Sequence, residues 1–590
     1  MTELTGEVTL NCTGGTPTPV GQQIQPVNVQ VFLNTSVTSR LLTSSAVLGS
    51  QWSEAILLLD DPAPNNQYPC QTATGVCINF GDGNGGFGNP LYYGGGTTTP
   101  SASPQNKNVF QGQQVASNSV LWLGVPIDPP GSNRTRIIRL VNVRANANAL
   151  GVAGPNSIPT PIVMSITATG SIVVPINNPQ QQVASVQKGL QFTVNSGSNI
   201  AVTNTSTTLP QALQQCVTRS ESAARFAILR YSELFASAFK RRNPGSSFAN
   251  PSGVVSNAIV GLQNITETGF YNPLLVGDTA NRGALGIAGL PDFGTRLKAT
   301  FNNVPVGVRL FVDRCAGGAG CTGGVSTISV SGSTQITDTA RATSPEAGTF
   351  ADVAAASGTG VPASPANVVE VAITTGSGSV VWEVTDSDLV QNSFGVLSFG
   401  VYATYTANPG ANSPALGTAT VNGSYAPTSS VTTASNSAPI PRFADTSVAS
   451  NIFSINPCIT NLLYPFVTNQ LGFDTGLAIS NTSSDPFGTS TQAGTCTLNW
   501  FGANAPAATL TPNVAAGTTY VTLASSAAPN FQGYMIAVCR FQYAHGFAFV
   551  SDAGATRLAM GYLALIIPDR TRVADPFLTA SSGSGEQLGY

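Results

Sequence analysis

Apolar and polar residues alternate with a period of two along almost the whole of this chain. A chain patterned this way can bury its apolar side chains only as faces of β-sheets. Val27, Val29, Val31 and Leu33 share one face, with Asn28 and Gln30 opposite. Similar runs follow at Ala55–Leu59, Val120–Val125, Arg136–Val143, Ile162–Ala168 and Leu190–Val194, separated by turns such as Asp128-Pro-Pro-Gly131. Further on come Arg296–Phe301, Val306–Asp313, and the pair Val368–Ile373 and Val380–Val384 around a Gly-containing hairpin loop, Thr374–Ser379. Leu397, Phe399, Val401, Ala403 and Tyr405 form one apolar strand face. The last strands fall at Gly476–Asn481, Thr495–Phe501, Thr518–Leu523, Tyr534–Val550 and Met560–Ile567. Leu209–Arg242 is the one serious helix candidate; its apolar residues fit helical and strand spacing equally, and strand followed by loop is the reading preferred. The expected fold is all-β: multi-domain β-sandwiches, Ig-like or jelly-roll-like, with long Gly/Pro/Ser/Thr-rich loops.

At about 150 residues per domain, 590 residues make three or four domains. The expected division is an N-terminal β-sandwich at 1–205, a middle β-rich domain at 206–428, a Pro/Ser/Thr-rich linker at 429–445, a C-terminal β-sandwich at 446–578 and a polar tail at 579–590.

Only 9% of residues are charged, 24 Lys and Arg against 27 Asp and Glu, where about 25% is usual. The hydrophobic fraction, 42%, is ordinary, so the chain can build cores and must face water with Ser, Thr, Asn and Gln. Net charge −3 and no basic cluster larger than Lys240–Arg242 leave no footprint for nucleic acid. Apolar runs such as Leu563–Ile567 fall far short of a bilayer span of about 20 residues, so no transmembrane segment is expected. Arg134, Arg136, Arg139 and Arg144 are the densest basic stretch, read as salt-bridging acids of a neighbouring domain or subunit.

Nine cysteines are present. Cys70/Cys77 and Cys315/Cys321 are close pairs without Cys-x-x-Cys spacing, which suits disulfides clipping loops in an oxidising, extracytoplasmic compartment. Cys496, Cys539, Cys12 and Cys216 are further disulfide candidates, and Cys458 a free or intermolecular one. At most two of Cys458, Cys496 and Cys539 can pair with each other, Cys12 could reach Cys216, and the sequence assigns no connectivity. The start, Met1-Thr-Glu-Leu-Thr, has no signal-peptide pattern, so the chain reads as a mature or truncated form of an exported protein. Seven Asn-x-Ser/Thr sequons stand at Asn11, Asn34, Asn133, Asn204, Asn264, Asn422 and Asn481, about the number chance supplies here.

The segments "NPCITNLLYPFVTNQLGFDTGLAISNTSSDPFG", "GTCTLNWFG", "FQGYMIAVCRFQYAHGFAFVSD" and "GYLALIIP", with "VNVQVFLNTSVTSRLL" and "SEAILLLDDP" near the start, carry a resemblance. They resemble large exported β-rich bacterial proteins of the kind found in acidobacterial genomes, most closely over 446–578. The resemblance implies secretion and β architecture and supplies no catalytic residues.

Motifs for chemistry are thin. Residues 81–86, Gly-Asp-Gly-Asn-Gly-Gly, match Gly-x-Gly-x-x-Gly by accident, because the following Phe87-Gly-Asn-Pro cannot open the required helix. Asp82 and Asn84, with Asp60 and Asp61 nearby, are a weak calcium candidate, and Glu383, Asp386 and Asp388 a second; a surface loop or turn is the plain reading. The single histidine, His545, stands in one run with Met535, Ala537, Cys539, Phe541, Tyr543, Phe547 and Phe549, read as a packed core or interface face rather than a general base beside Cys539 or Asp552. Trp122, Trp382 and Trp500 sit in strand patterns, which favours core packing over sugar stacking. No catalytic or cofactor-binding residue is assigned. The expectation is a non-enzymatic extracellular structural protein, a self-assembling subunit of a cell-surface filament, tube or surface layer, its partners copies of itself joined through strand addition. The alternative is a monomeric secreted adhesin or carbohydrate-binding protein, with a glycan as ligand.

Overall fold

The computed structural model describes residues 2–42, 51–62, 67–86, 107–151, 158–196, 209–215, 218–221, 225–235, 238–240, 270, 288–289, 291–316, 339–343, 346–348, 351, 353–363, 367–386, 394–407, 414–456, 458–486, 491–552, 554 and 556–567. Among them the chain is all-β, as its alternation requires, with one 3-10 turn (Ala147–Leu150) and one four-residue helix, α1 (Ala524–Ala527). No helix among them is long and apolar enough to cross a membrane.

The first unit opens with β1 (Glu3–Leu4), β2 (Val8–Gly14), β3 (Pro26–Leu33), β4 (Gln51–Leu59) and β5 (Val109–Ala116). It continues with β6 (Ser119–Pro126), β7 (Gly131–Val141), β8 (Arg144–Ala145), β9 (Thr160–Gly170) and β10 (Gln180–Val186). β1 pairs with β8; the others join one antiparallel sheet ordered β10-β9-β3-β6-β5-β4-β7-β2. Its edges turn toward each other, the Gly6 amide donating to the Val183 carbonyl at 2.7 Å. The alternating residues of β3 face inward with Trp122, Leu57, Leu140 and Met164, so a single curled sheet encloses this core.

The second unit is a sandwich. Its strands are β11 (Leu190–Ser196), β12 (Gln211–Gln214), β13 (Ala227–Glu233), β14 (Arg296–Asn302), β15 (Arg309–Asp313) and β16 (Thr339–Thr343). They are followed by β17 (Val368–Val371), β18 (Gly378–Asp386), β19 (Val396–Thr404), β20 (Gly417–Ala426) and β21 (Ser450–Asn456). Sheet β11-β13-β19-β15-β17 packs on sheet β12-β21-β20-β14-β18-β16 over one core. At its centre Trp382 stacks on Phe399 with centroids 4.0 Å apart, and Tyr231 meets both edge-on. Their polar ends are satisfied: Trp382 Nε1 donates to Asp313 O and Tyr231 Oη to Lys298 O.

The third unit is a smaller sandwich of β22 (Thr460–Thr468), β23 (Asp474–Asn481), β24 (Cys496–Ala503), β25 (Thr509–Leu510) and β26 (Thr519–Leu523). After α1 come β27 (Gln532–Cys539), β28 (Ala544–Ser551), β29 (Ala559–Leu563) and β30 (Leu565–Ile567). Sheet β25-β24-β27-β22-β30 faces sheet β26-β23-β28-β29.

Several expectations need correcting. β11 lies before residue 205 and β21 after 446, yet both pair into the second unit, so its ladders run from 190 to 456. Leu209–Arg242 needs no correction: it holds β12 and β13, with no helix among its described residues, in agreement with the strand reading preferred for it. Thr374 and Ser377 close a tight turn, but β17 pairs with β15 and β18 with β14, so the strands flanking it belong to opposite sheets and make no hairpin.

The expected linker, 429–445, is a packed strap rather than a free spacer. It closes over the joint between the first two units: Leu41 N donates to Ser435 O, Asn146 Nδ2 to Thr432 O, and Arg442 N to Thr2 Oγ1. Beneath it Arg40 pairs with Asp292 at 2.8 Å and Arg144 with Glu54 at 3.0 Å, all four side chains shielded from water. Glu54 also accepts the Arg40 and Gly289 amides, and Asp292 the Ile440 amide. Burial alone would raise the Glu54 carboxyl, but the Arg144 and Arg40 guanidiniums and those two amides outweigh it and hold it below its ordinary range. The Arg442 guanidinium donates to the carbonyls of Val431, Thr433 and Pro439. Burial first, then the neighbouring Arg144 and Arg40, push its pKa down to about 10.

Candidate assembly interface

The sandwich of the third unit turns one apolar face outward. Between β27 and β28 the chain leaves one sheet for the other through Phe541–Tyr543, with Tyr543 at φ 62°. This corner resets which side chains face in. Met535, Ala537, Cys539 and Phe541 point into the core, whereas His545, Phe547 and Phe549 point out. The run expected to present one continuous face is therefore split, and His545 is exposed rather than packed.

Register places the exposed residues in rows. Phe547 lies between Ala478 of β23 and Leu563 of β29, and Val521 of β26 continues the row. Phe549 lies between Gly476 and Gly561, and Leu523 continues that row. Val521 is 69% exposed, Leu563 57%, Leu523 51%, Phe549 45% and Phe547 43%. Together they open on the order of 500 Å² of apolar surface, the upper end of what monomers carry. No Lys, Arg or Glu lies among the outward positions of these four strands, whose only ionisable groups are Asp474 and His545 at the margins. At Gly561 the strand is open to the Phe547 ring, which leans over it: a Cβ there would lie 2.8 Å from the tip of that ring.

Asp552 fixes the approach to β29. Its carboxylate accepts the amides of Gly554 and Leu558 and both the amide and hydroxyl of Thr556. The Thr556 hydroxyl first, then these amides, hold its pKa down at about 2 against an ordinary 3.8. A folded-state pKa below the unfolded one stabilises the loop above pH 3.8, and that support is lost as pH falls toward 2. Exchange protection of the Thr556 and Leu558 amides, corrected for intrinsic rate, is expected to drop between pH 4 and pH 2. Asp552→Asn should abolish the pH step; a step that persists in the variant would assign it elsewhere.

The remaining sequence candidates serve the fold. Asp82 accepts the amides of Asn84 and Gly86, closing its own loop. Asp60 pairs with Arg136, and Asp61 with Arg139, which also reaches Glu7. With Arg144 on Glu54, these acids belong to the first unit itself, not to a neighbouring domain or subunit. Glu383 is bound by Arg296 at 2.7 Å. Asp386 ends β18, its side chain outside the described set, and Asp388 lies outside the described residues. Among the described residues no group of three or more His, Cys, Asp or Glu is placed to hold a metal. Trp122, Trp382 and Trp500 are all in cores. The sequon at Asn481 is closed, because its buried amide donates to Gln492 O and Val514 O.

The disulfides Cys70–Cys77 and Cys496–Cys539 are formed. Cys458 is disulfide-bonded, not free, and Cys315 is bonded as well; Cys216 and Cys321 lie outside the described residues. Cys12, expected to bridge, is the free thiol among the described cysteines, half-buried beside Arg136, and burial raises its pKa. Cys539 is thus consumed in a bridge and leaves His545 no thiol to activate.

The sequence places Phe547 and Phe549 on one core or interface face with Met535–Phe541, and does not separate that outward half or join to it the outward residues of β26, β23 and β29. The signal present was the wealth of Phe, Val and Leu on alternate positions, which marks a buried face and an exposed apolar one alike. No family model matches this chain, and no curated protein matches it at a significant level.

Proposed function

We propose that this chain is a non-enzymatic extracellular structural protein that self-assembles into a cell-surface filament, tube or surface layer. The observation that carries the reading is the outward apolar face of β26-β23-β28-β29, bordered by strand edges with no charged residue. The rest of the exterior favours the same outcome. Charges are few, and Arg40, Glu54, Arg136, Arg144, Arg296, Glu383 and Arg442 are buried in pairs and carbonyl contacts inside the fold. Copies of a surface so poor in charge repel one another little, so short-range apolar and hydrogen-bonded contacts dominate their encounters. The disulfides suit an oxidising space outside the cytoplasm. The glycan-binding alternative gains little from the exposed Phe501 and Tyr534, whose rings stack on each other at 5.1 Å and so each give up a face that a sugar would need.

Light scattering and negative-stain microscopy of the purified chain test the reading. Particle mass is expected to rise with concentration, with elongated or planar objects on the grid. Monodisperse single copies at every concentration would refute it, and specific retention of those copies on a glycan array would install the alternative.

A further inference from the structure

We propose that copies join edge to edge, β29 of one pairing antiparallel with β26 of the next, so that the four-stranded sheet continues from copy to copy. This rests on the self-assembly reading and names its contact. Every neighbouring pair in β26-β23-β28-β29 is antiparallel, so β26 and β29 run in opposite directions. A copy displaced sideways, its sheet facing the same way, therefore brings its β26 beside β29 with antiparallel sense already met. The contact is heterologous and does not close on itself, as an open assembly requires.

The two edges match in detail. Each is five residues long, Thr519–Leu523 against Ala559–Leu563, with neither charge nor proline. Such edges lack the devices that ordinarily prevent addition. Several other edges are blunted: β2 and β10 meet through Gly6 and Val183, β17 carries Glu370 ion-paired to Arg309, and β25 and β30 are two and three residues long. β11 is a further edge with neither charge nor proline. Outward residues alternate in phase, Thr519, Val521 and Leu523 on one edge and Ala559, Gly561 and Leu563 on the other. Full overlap sets Gly561 opposite Val521, Ala559 opposite Leu523 and Leu563 opposite Thr519. The bare strand at Gly561 then receives a branched side chain next to Phe547 and Phe549. Pairing β29 with a second β29 would instead set glycine against glycine and leave both rings uncovered.

Pairing an edge adds the ladder's hydrogen bonds and sets the outward face of one copy beside that of the next.

The experiment uses the full chain and a charge exchange. Ala559→Glu and Leu523→Lys, each alone, should weaken the association constant of the contact by ~10-fold, about 1.4 kcal/mol per contact, read from the concentration dependence of the assembled mass. The double variant sets the carboxylate introduced at position 559 against the ammonium introduced at position 523 of the next copy, and should return to within about twofold of the original. Far-UV circular dichroism checks folding; if either single variant unfolds, Leu563→Lys with Thr519→Glu repeats the exchange in the same register. An original chain that assembles while the single variants assemble equally well overturns the edge pairing and leaves the function standing. Loss in both single variants without recovery in the double overturns this register. An original chain that never assembles overturns the function itself.

Discussion

Glu54→Gln is expected to destabilise the first two units by about 3–5 kcal/mol, read as a lowered denaturant midpoint. The substitution keeps the shape and one of the two acceptor oxygens, Oε1 on the Arg40 amide or Oε2 on the Gly289 amide, so it removes the charge together with one amide contact. Three buried guanidiniums, Arg40, Arg144 and Arg442, then share the joint with the Asp292 carboxylate as the remaining acid among the described contacts. An ion left uncompensated in such a place costs more than the intact pair ever contributed, because the desolvation of both ions was already offset by their attraction. A second substitution gives the test its direction. Arg144→Met in the Glu54→Gln background takes away one positive charge and restores the original balance of the cluster. The double variant should therefore be more stable than the single one, although it has lost more polar contacts. If it is weaker still, Glu54 acts through its hydrogen bonds and the charge account fails. The strap at 429–445 supplies a local readout, since its Leu41–Ser435 and Asn146–Thr432 contacts depend on the joint, and proteolysis within it should accelerate in the single variant.

This joint marks the limit of what alternation can disclose. Period two locates strands, and it located β3, β6, β9, β14, β19 and β23 because each has one face in a core. It does not say which strands pair, so β11 and β21 could be assigned to units only once their ladders with β13 and β20 were seen. Arg144 stands out in the sequence as part of a basic stretch, but its acid is Glu54, ninety residues earlier and inside an apolar strand. The Ser- and Pro-rich composition of 429–445 is that of a spacer, and its backbone carbonyls hold Arg442 all the same. The outward apolar face was hidden by one corner: alternation runs through Cys539, Phe541, Tyr543 and His545 without a break, while the chain changes sheets and the inward positions become outward. Cysteine spacing resolved Cys70–Cys77 because both partners sit in one short loop, whereas the choice between Cys12 and Cys458 as the free thiol depended on folding over hundreds of residues.

Replacing Cys496 and Cys539 together by alanine is expected to cost the third unit about 4 kcal/mol, the chain-entropy value for a bridge spanning a loop of this size. The two residues lie directly opposite on β24 and β27, 43 positions apart in sequence, and neither is exposed. The bridge therefore staples two neighbouring strands of one sheet on its core side, facing the sheet proposed to carry assembly. Both ends lie within residues 460–567, so the loss should appear in the unfolding of this unit and leave the transition set by Glu54 unmoved. Two measurements separate the bridge's contribution from that of sulfur packing. A reductant added to the folded protein should leave the bridge intact, because no thiolate reaches a sulfur without opening the sandwich. Reduction in denaturant followed by return to native buffer should then lower the midpoint as far as the alanine pair does. Rapid reduction under native conditions, or a reduced protein as stable as the oxidised one, would contradict this account. The expected outcome ties the fold to its surroundings: about 4 kcal/mol from one disulfide is a large share of a total stability of about 5–15 kcal/mol, and it is gained only if the chain folds where thiols are oxidised.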